Sequence, residues 1–169
     1  MAFALSPYYY ETRYENRMKR RMPMVPAGKR KNGELSASTK SKALLKYILK
    51  ISNSEKTFPK RARWNTIDPM CKIAWRIFHD ISLANGVLVQ SEEDAEERIK
   101  LQKDATKCLM TLAESADVIY EAYNVPTQKL EALTALITDT QEAVRKWMYG
   151  DKRSYRDKFP ASKSPYFTK

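Results

Sequence analysis

The sequence predicts an all-α protein: an antiparallel four-helix bundle carrying basic, irregular N- and C-terminal extensions. Three observations lead there. Apolar residues recur at steps of three and four in four successive segments between residues 38 and 149. Glycine is scarce, at 4 of 169 residues, while Ala, Leu, Lys, Glu and Arg dominate the middle of the chain, a composition that favours helix. No alternating strand pattern appears between residues 38 and 149. Helices of this length joined by mostly short links pack side by side and antiparallel. The length suits one domain with a real core.

Residues 1–36 have no sustained apolar period. They hold Tyr8-Tyr9-Tyr10, the run Met18-Lys19-Arg20-Arg21, Pro23, Pro26, and Gly28-Lys29-Arg30-Lys31-Asn32-Gly33. Proline and glycine recur too often for a helix, so this stretch reads as a basic, aromatic arm. The bundle spans 37–149. Its first helix covers 38–53, with Leu44, Leu45, Ile48 and Ile51 on one side, lysines on the other, and Ser38 or Thr39 as cap. The second covers 67–88, the clearest period in the chain: Ile67, Met70, Ala74, Ile77, Ile81, Ala84 and Leu88 make an a/d seam that Trp75 and Phe78 widen. Asp68 before Pro69 reads as its cap and first turn, and Gly86 as its end.

The third helix covers 92–123. Ser91 caps it, and Glu92, Glu93 and Asp94 sit where the helix dipole favours carboxylates. Leu101, Ala105, Cys108, Leu112, Ala116, Ile119 and Tyr123 form its seam. The fourth covers 126–149, with Leu130, Leu133, Ile137, Val144 and Trp147 facing inward and Gly150 as the stop. Residues 150–169 read as a basic, aromatic tail without periodicity.

The formal net charge is +11, unevenly spread. Residues 1–42 hold ten basic and three acidic side chains, 43–90 eight and three, 91–124 four and nine, 125–149 three and three, and 150–169 six and two. Basic ends and a basic first half point to a polyanionic partner, most often nucleic acid. No apolar run is long enough to span a membrane. The N-terminus places its apolar residues ahead of its charge, the reverse of a secretory signal. With Cys71 and Cys108 as the two cysteines, the chain reads as cytoplasmic, with reduced, buried thiols.

Little in the sequence suggests catalysis. His79 is the single histidine, beside the seam of helix two, where packing or capping is the commoner role. There is no Cys-x-x-Cys, His-x-x-x-His or Glu-x-x-His spacing for a metal, and no glycine-rich phosphate loop. No catalytic, metal or cofactor residue is therefore expected, and the protein reads as a non-enzyme.

The basic segments carry the functional expectation. In TFPKRARW, the link between helices one and two, Lys60, Arg61 and Arg63 lie next to Trp64. Lys72 and Arg76 follow on one face of helix two, and Arg145 and Lys146 near the end of helix four. In the arm and tail, Arg20, Arg21, Lys29, Arg30, Lys31, Lys152 and Arg153 complete the set of phosphate-binding candidates, with Trp64 and Tyr155 as bases' stacking partners. Whether the end of helix four lies near the start of helix two depends on the handedness of the connections, which the sequence leaves open. Phe58 and Trp64 could equally plug the bundle end.

From Leu44 to Trp147 the chain resembles the four-helix family of the accessory variability determinant of diversity-generating retroelements, which includes proteins encoded in intervening sequences of large-subunit ribosomal RNA genes. The marks are Phe58-Pro59-Lys60 and the stretch to Trp64, Ala84-Asn85 in ISLAN, Arg98 and Leu101 opening helix three, and Trp147 to Gly150 closing helix four. The resemblance implies a non-enzymatic partner of a reverse transcriptase. Such a partner forms a basic, pentameric ring that binds the enzyme and its structured template RNA or RNA/DNA during mutagenic retrohoming. The short first helix, the added arm and tail, and the acidic start of helix three depart from that pattern. The alternatives are a nucleic-acid-binding bundle of phage or rRNA-associated type and a protein–protein adaptor.

Overall fold

A computed structural model of the chain describes residues 32–54, 57–58, 62, 66–123 and 125–166. Four helices account for most of them: α1 (Asn32–Ser52), α2 (Asp68–Gly86), α3 (Glu92–Tyr123) and α4 (Thr127–Lys158). Each packs on its neighbour in sequence, α4 closes the ring against α1, and the diagonal pairs α1/α3 and α2/α4 barely touch. Cross-helix contacts fix the directions. Tyr47 late in α1 donates to the Lys129 carbonyl early in α4 (2.9 Å), and Arg98 early in α3 reaches Asp151 late in α4. The expected antiparallel bundle is what forms.

The core is a set of heptad seams. On α1, Ala37, Ser41, Leu44, Ile48 and Ile51 are buried at alternating steps of four and three. On α2 the buried seam runs Ile67, Met70, Ala74, Ile77, Ile81 and Ala84. Leu88, expected to continue it, is 41% exposed, because α2 ends at Gly86 and Val87 turns into extended backbone. Burying each large aliphatic side chain contributes about 1.5–3 kcal/mol, so these seams hold the bundle together.

Three further boundaries differ from the sequence reading. Helix α1 begins at Asn32, not residue 38, which leaves less of the chain for the N-terminal arm. Ile67 caps α2 and Asp68 is its first helical residue, with no side-chain cap. Gly150 does not stop α4. That helix runs eight residues further, because Asp151 and Tyr155 continue its buried face. The tail expected from residue 150 is therefore helical through Lys158. It then folds back on the start of α3, where Ser162 Oγ hydrogen-bonds Glu92 and Lys158 Nζ donates to the Val89 carbonyl (2.8 Å).

The link from α1 to α2 is tied to the core: Thr57, Phe58 and Ala62 are buried, and Lys129 Nζ donates to Thr57 Oγ1. Phe58 plugs this end of the bundle, as one of its two sequence readings had it. The cap of α3 forms as expected, a reciprocal pair in which Asp94 N–H donates to Ser91 Oγ (3.2 Å) and Ser91 N–H to Asp94 Oδ2 (2.9 Å). No helix among the described residues is long and apolar enough to cross a membrane.

Candidate nucleic-acid interface

The phosphate-binding candidates divide sharply by position. Arg20, Arg21, Lys29, Arg30, Lys31, Lys60, Arg61 and Arg63, with the stacking candidate Trp64, lie outside the described residues. Lys72 and Arg76 stand on α2. Arg145, Lys146, Lys152 and Arg153 stand on α4, the diagonal helix. The ring order thus keeps the α2 cations apart from those at the end of α4, and no joint basic end forms from them. Arg76 is also partly neutralised, its Nε 3.7 Å from Asp80 Oδ2.

The groove beside Arg76, between α2 and α3, is lined by Trp75, His79, Asp80, Leu83, Glu97, Leu101 and Asp104. Its carboxylates outnumber its full cations, so this side suits a polyanion poorly. His79 is exposed, its Nδ1 3.3 Å from Asp80 Oδ1, so of the packing or capping role expected of it the packing is not what forms. Cys71 and Cys108 are free and half-buried, and burial pushes the Cys108 thiol up from its ordinary value.

The face shared by α3 and α4 is different. Because α4 continues through Gly150, residues 145, 149, 152 and 156 fall on one side of it at steps of four, three and four. They are Arg145, Tyr149, Lys152 and Arg156, three cations and an aromatic ring. On α3, Lys100, Lys103 and Lys107 are spaced by three and four. The helices are antiparallel neighbours, and Lys103 lies close enough to Lys152 to repel its charge. The Lys152 ammonium is pushed below the ordinary lysine value first by partial burial and then by Lys103 and Arg156. Three cations are thus held together without an acid among those influences. Lys103 Nζ also sits 4.5 Å from the centre of the Tyr166 ring, so the returning tail lines the patch.

A buried polar clamp sets the register of this face. Arg98 Nε donates to Asp151 Oδ2 at 2.9 Å, Gln102 Nε2 donates to the same oxygen at 2.8 Å, and an Arg98 terminal nitrogen donates to the Val87 carbonyl at 3.2 Å. The guanidinium lies 5.1 Å over Trp147. Arg98, Gln102 and Asp151 are all buried at seam positions of α3 and α4. An ion pair so placed contributes little net stability compared with apolar packing, but it penalises any slip of one helix along the other.

The structure changes the stacking assignment. Tyr155, a stacking candidate in the sequence, is 5% exposed and packs with Ala95 and Ile99, so its ring faces α3 and not solvent. Tyr149 is 68% exposed instead. Sequence reasoning missed Lys103, Tyr149 and Arg156. Carrying the seam Val144–Trp147 on to Asp151 would have kept α4 helical and exposed the stripe. Against known proteins, no family model matches the chain, and no curated protein or solved structure matches it either.

Proposed function

We propose that this protein is a non-enzymatic nucleic-acid-binding bundle that meets structured RNA on its α3/α4 face. The observation that carries the reading is the juxtaposition of Lys103 on α3 with Lys152 and Arg156 on α4, close enough that both neighbours add to partial burial in lowering the Lys152 ammonium. A cation cluster that opposes folding makes physical sense as a site for an external anion. Arg145 and Arg153 extend it along α4. Phosphates bound there would release condensed counterions, so affinity falls steeply with salt.

Its resemblance to the retroelement accessory family narrows the proposal to a cytoplasmic homo-oligomer, a pentamer in that family. It would scaffold a reverse transcriptase and its template RNA or RNA/DNA. That narrower reading predicts a stable complex with a reverse transcriptase encoded beside this chain, seen as co-elution in size-exclusion chromatography.

The test of the binding proposal is a titration of a structured RNA across a salt series. The intact chain is compared with the triple variant Arg145→Gln, Lys152→Gln, Arg156→Gln. Removing two to three phosphate contacts should flatten the slope of log affinity against log salt by roughly 2. An unchanged slope and affinity would place RNA binding elsewhere or nowhere.

A further inference from the structure

Tyr149 has an unusual neighbourhood. Its four helical neighbours at i−4, i−3, i+3 and i+4 are Arg145, Lys146, Lys152 and Arg153, all cationic. They cover both turns that flank the ring on the surface of α4. The ring is 68% exposed, and no cation among the described residues lies over it. Lys146 leans instead to Glu142 (3.3 Å). The phenol is therefore neither packed nor used in an internal ring contact. Arg145 and Lys152 stand roughly 10 Å apart along the helix, with Tyr149 between them.

From this arrangement we infer that the α4 face takes a single-stranded segment, with one unpaired base stacked on Tyr149 and flanking phosphates held by Arg145, Lys152 and Arg153. The inference rests on the nucleic-acid reading above and adds the strand class and the base contact. A duplex would bring only its phosphates to this convex face, since its bases are already stacked on each other. An unpaired base has both faces free, and an aromatic platform beside cations is what stacks it. The ring stacks on any base, so the site reads strandedness and not sequence. In a structured RNA the segment engaged would be a loop, bulge or end.

The experiment uses the full chain and three labelled probes in fluorescence anisotropy at one moderate salt concentration: a single-stranded 20-nucleotide oligouridine, a 20-base-pair RNA duplex, and the same oligouridine carrying abasic sites. Tyr149→Ala should weaken oligouridine binding about 5- to 150-fold, the range for loss of one stacked base. Tyr149→Phe should retain it. The abasic strand should already bind weakly and respond little to Tyr149→Ala, and duplex binding should not move. If Tyr149→Ala leaves oligouridine affinity intact, or weakens duplex and single strand equally, the stacking inference is wrong. Lys152→Gln separates the two levels. If it weakens binding of all three probes while Tyr149→Ala weakens none, the nucleic-acid reading stands and only the base contact falls. If neither variant changes any probe, both fall.

Discussion

Removing the Asp151 carboxylate is the sharpest test of how the bundle is held. Asp151 takes hydrogen bonds from Arg98 Nε (2.9 Å) and Gln102 Nε2 (2.8 Å) in a buried layer between α3 and α4. In Asp151→Ala the Arg98 guanidinium stays buried and loses the Asp151 carboxylate, while keeping the Val87 carbonyl and the Trp147 ring. Breaking a buried pair from one side costs about 3–5 kcal/mol, a large share of the roughly 5–15 kcal/mol that holds a domain folded. Those remaining contacts favour the lower figure. At about 2–4 °C per kcal/mol for a chain of this size, the midpoint should fall by roughly 6–12 °C. Thermal unfolding followed by far-ultraviolet circular dichroism measures it. The double variant Arg98→Met, Asp151→Leu should recover the part of the loss that comes from stranding the Arg98 charge, leaving at least about 1 kcal/mol for the stranded Gln102 amide. Asp151→Ala within about 1 kcal/mol of the parent would refute the reasoning, because the pair would then be neither desolvated nor coupled.

Other outcomes follow from the helix ends. Gly150 is exposed in mid-helix with open space where a Cβ would stand, so Gly150→Ala should stabilise the protein by about 0.5–1 kcal/mol in urea unfolding. Ser91→Ala removes the hydroxyl that accepts from the Asp94 N–H and should cost about 1 kcal/mol in the same assay. Backbone hydrogen bonds from Ser91 and then Gln90 hold the Asp94 carboxyl below its ordinary value. Its contribution to stability is therefore complete above the ordinary aspartate range and lost as pH falls through the lowered folded value. Asp94→Asn should flatten that part of the acid-unfolding curve.

The apolar seams of α1 and α2 were legible in the sequence, whereas on α3 the buried position is Leu109, with the expected Leu101 and Cys108 only half-buried. Ile67 to Ala84 on α2 was read residue by residue, because each step of three or four lands on an apolar side chain. The reading failed where the seam turns polar. On α3 the buried positions run Ala95, Arg98, Gln102, Ala105, and on α4 Ile137, Thr140, Val144, Trp147, Asp151. Arg98, Gln102 and Asp151 look like surface residues to a hydrophobicity pattern. They are buried because each supplies what another lacks: two donors and one carboxylate that meet only across the interface. Gly150 compounded the error, since glycine commonly ends helices and here stands exposed in one that continues. The basic character of the site was legible, but its geometry was not. A stripe at residues 145, 149, 152 and 156 exists only if α4 passes through Gly150, and its pairing with Lys103 depends on which helices are neighbours.

The clamp and the patch are two ends of one electrostatic arrangement, which makes a last prediction. Outside, Lys103, Lys152 and Arg156 push α3 and α4 apart; inside, Arg98 and Asp151 join the same two helices. Salt reaches these partly exposed charges and screens them, but it barely reaches a buried pair. Without nucleic acid, raising salt should therefore increase the thermal midpoint. Lys152→Gln should raise it at low salt and reduce its salt dependence, while weakening RNA binding. The pH dependence has a matching sign. The folded protein holds the Lys152 proton less tightly than the unfolded chain, whose value is the ordinary 10.5. The partial burial of its charge, with the repulsion from Lys103 and Arg156 added, therefore destabilises the fold at neutral pH, an effect that fades as pH rises through the lowered folded value toward 10.5. RNA should have the effect of high salt and more, since a bound phosphate neutralises the same ammonium directly and stabilises the fold by mass action. If Lys152→Gln lowered the midpoint at low salt, the lysine would be a structural contact, and the cluster could no longer be read as a site strained in the absence of its anion.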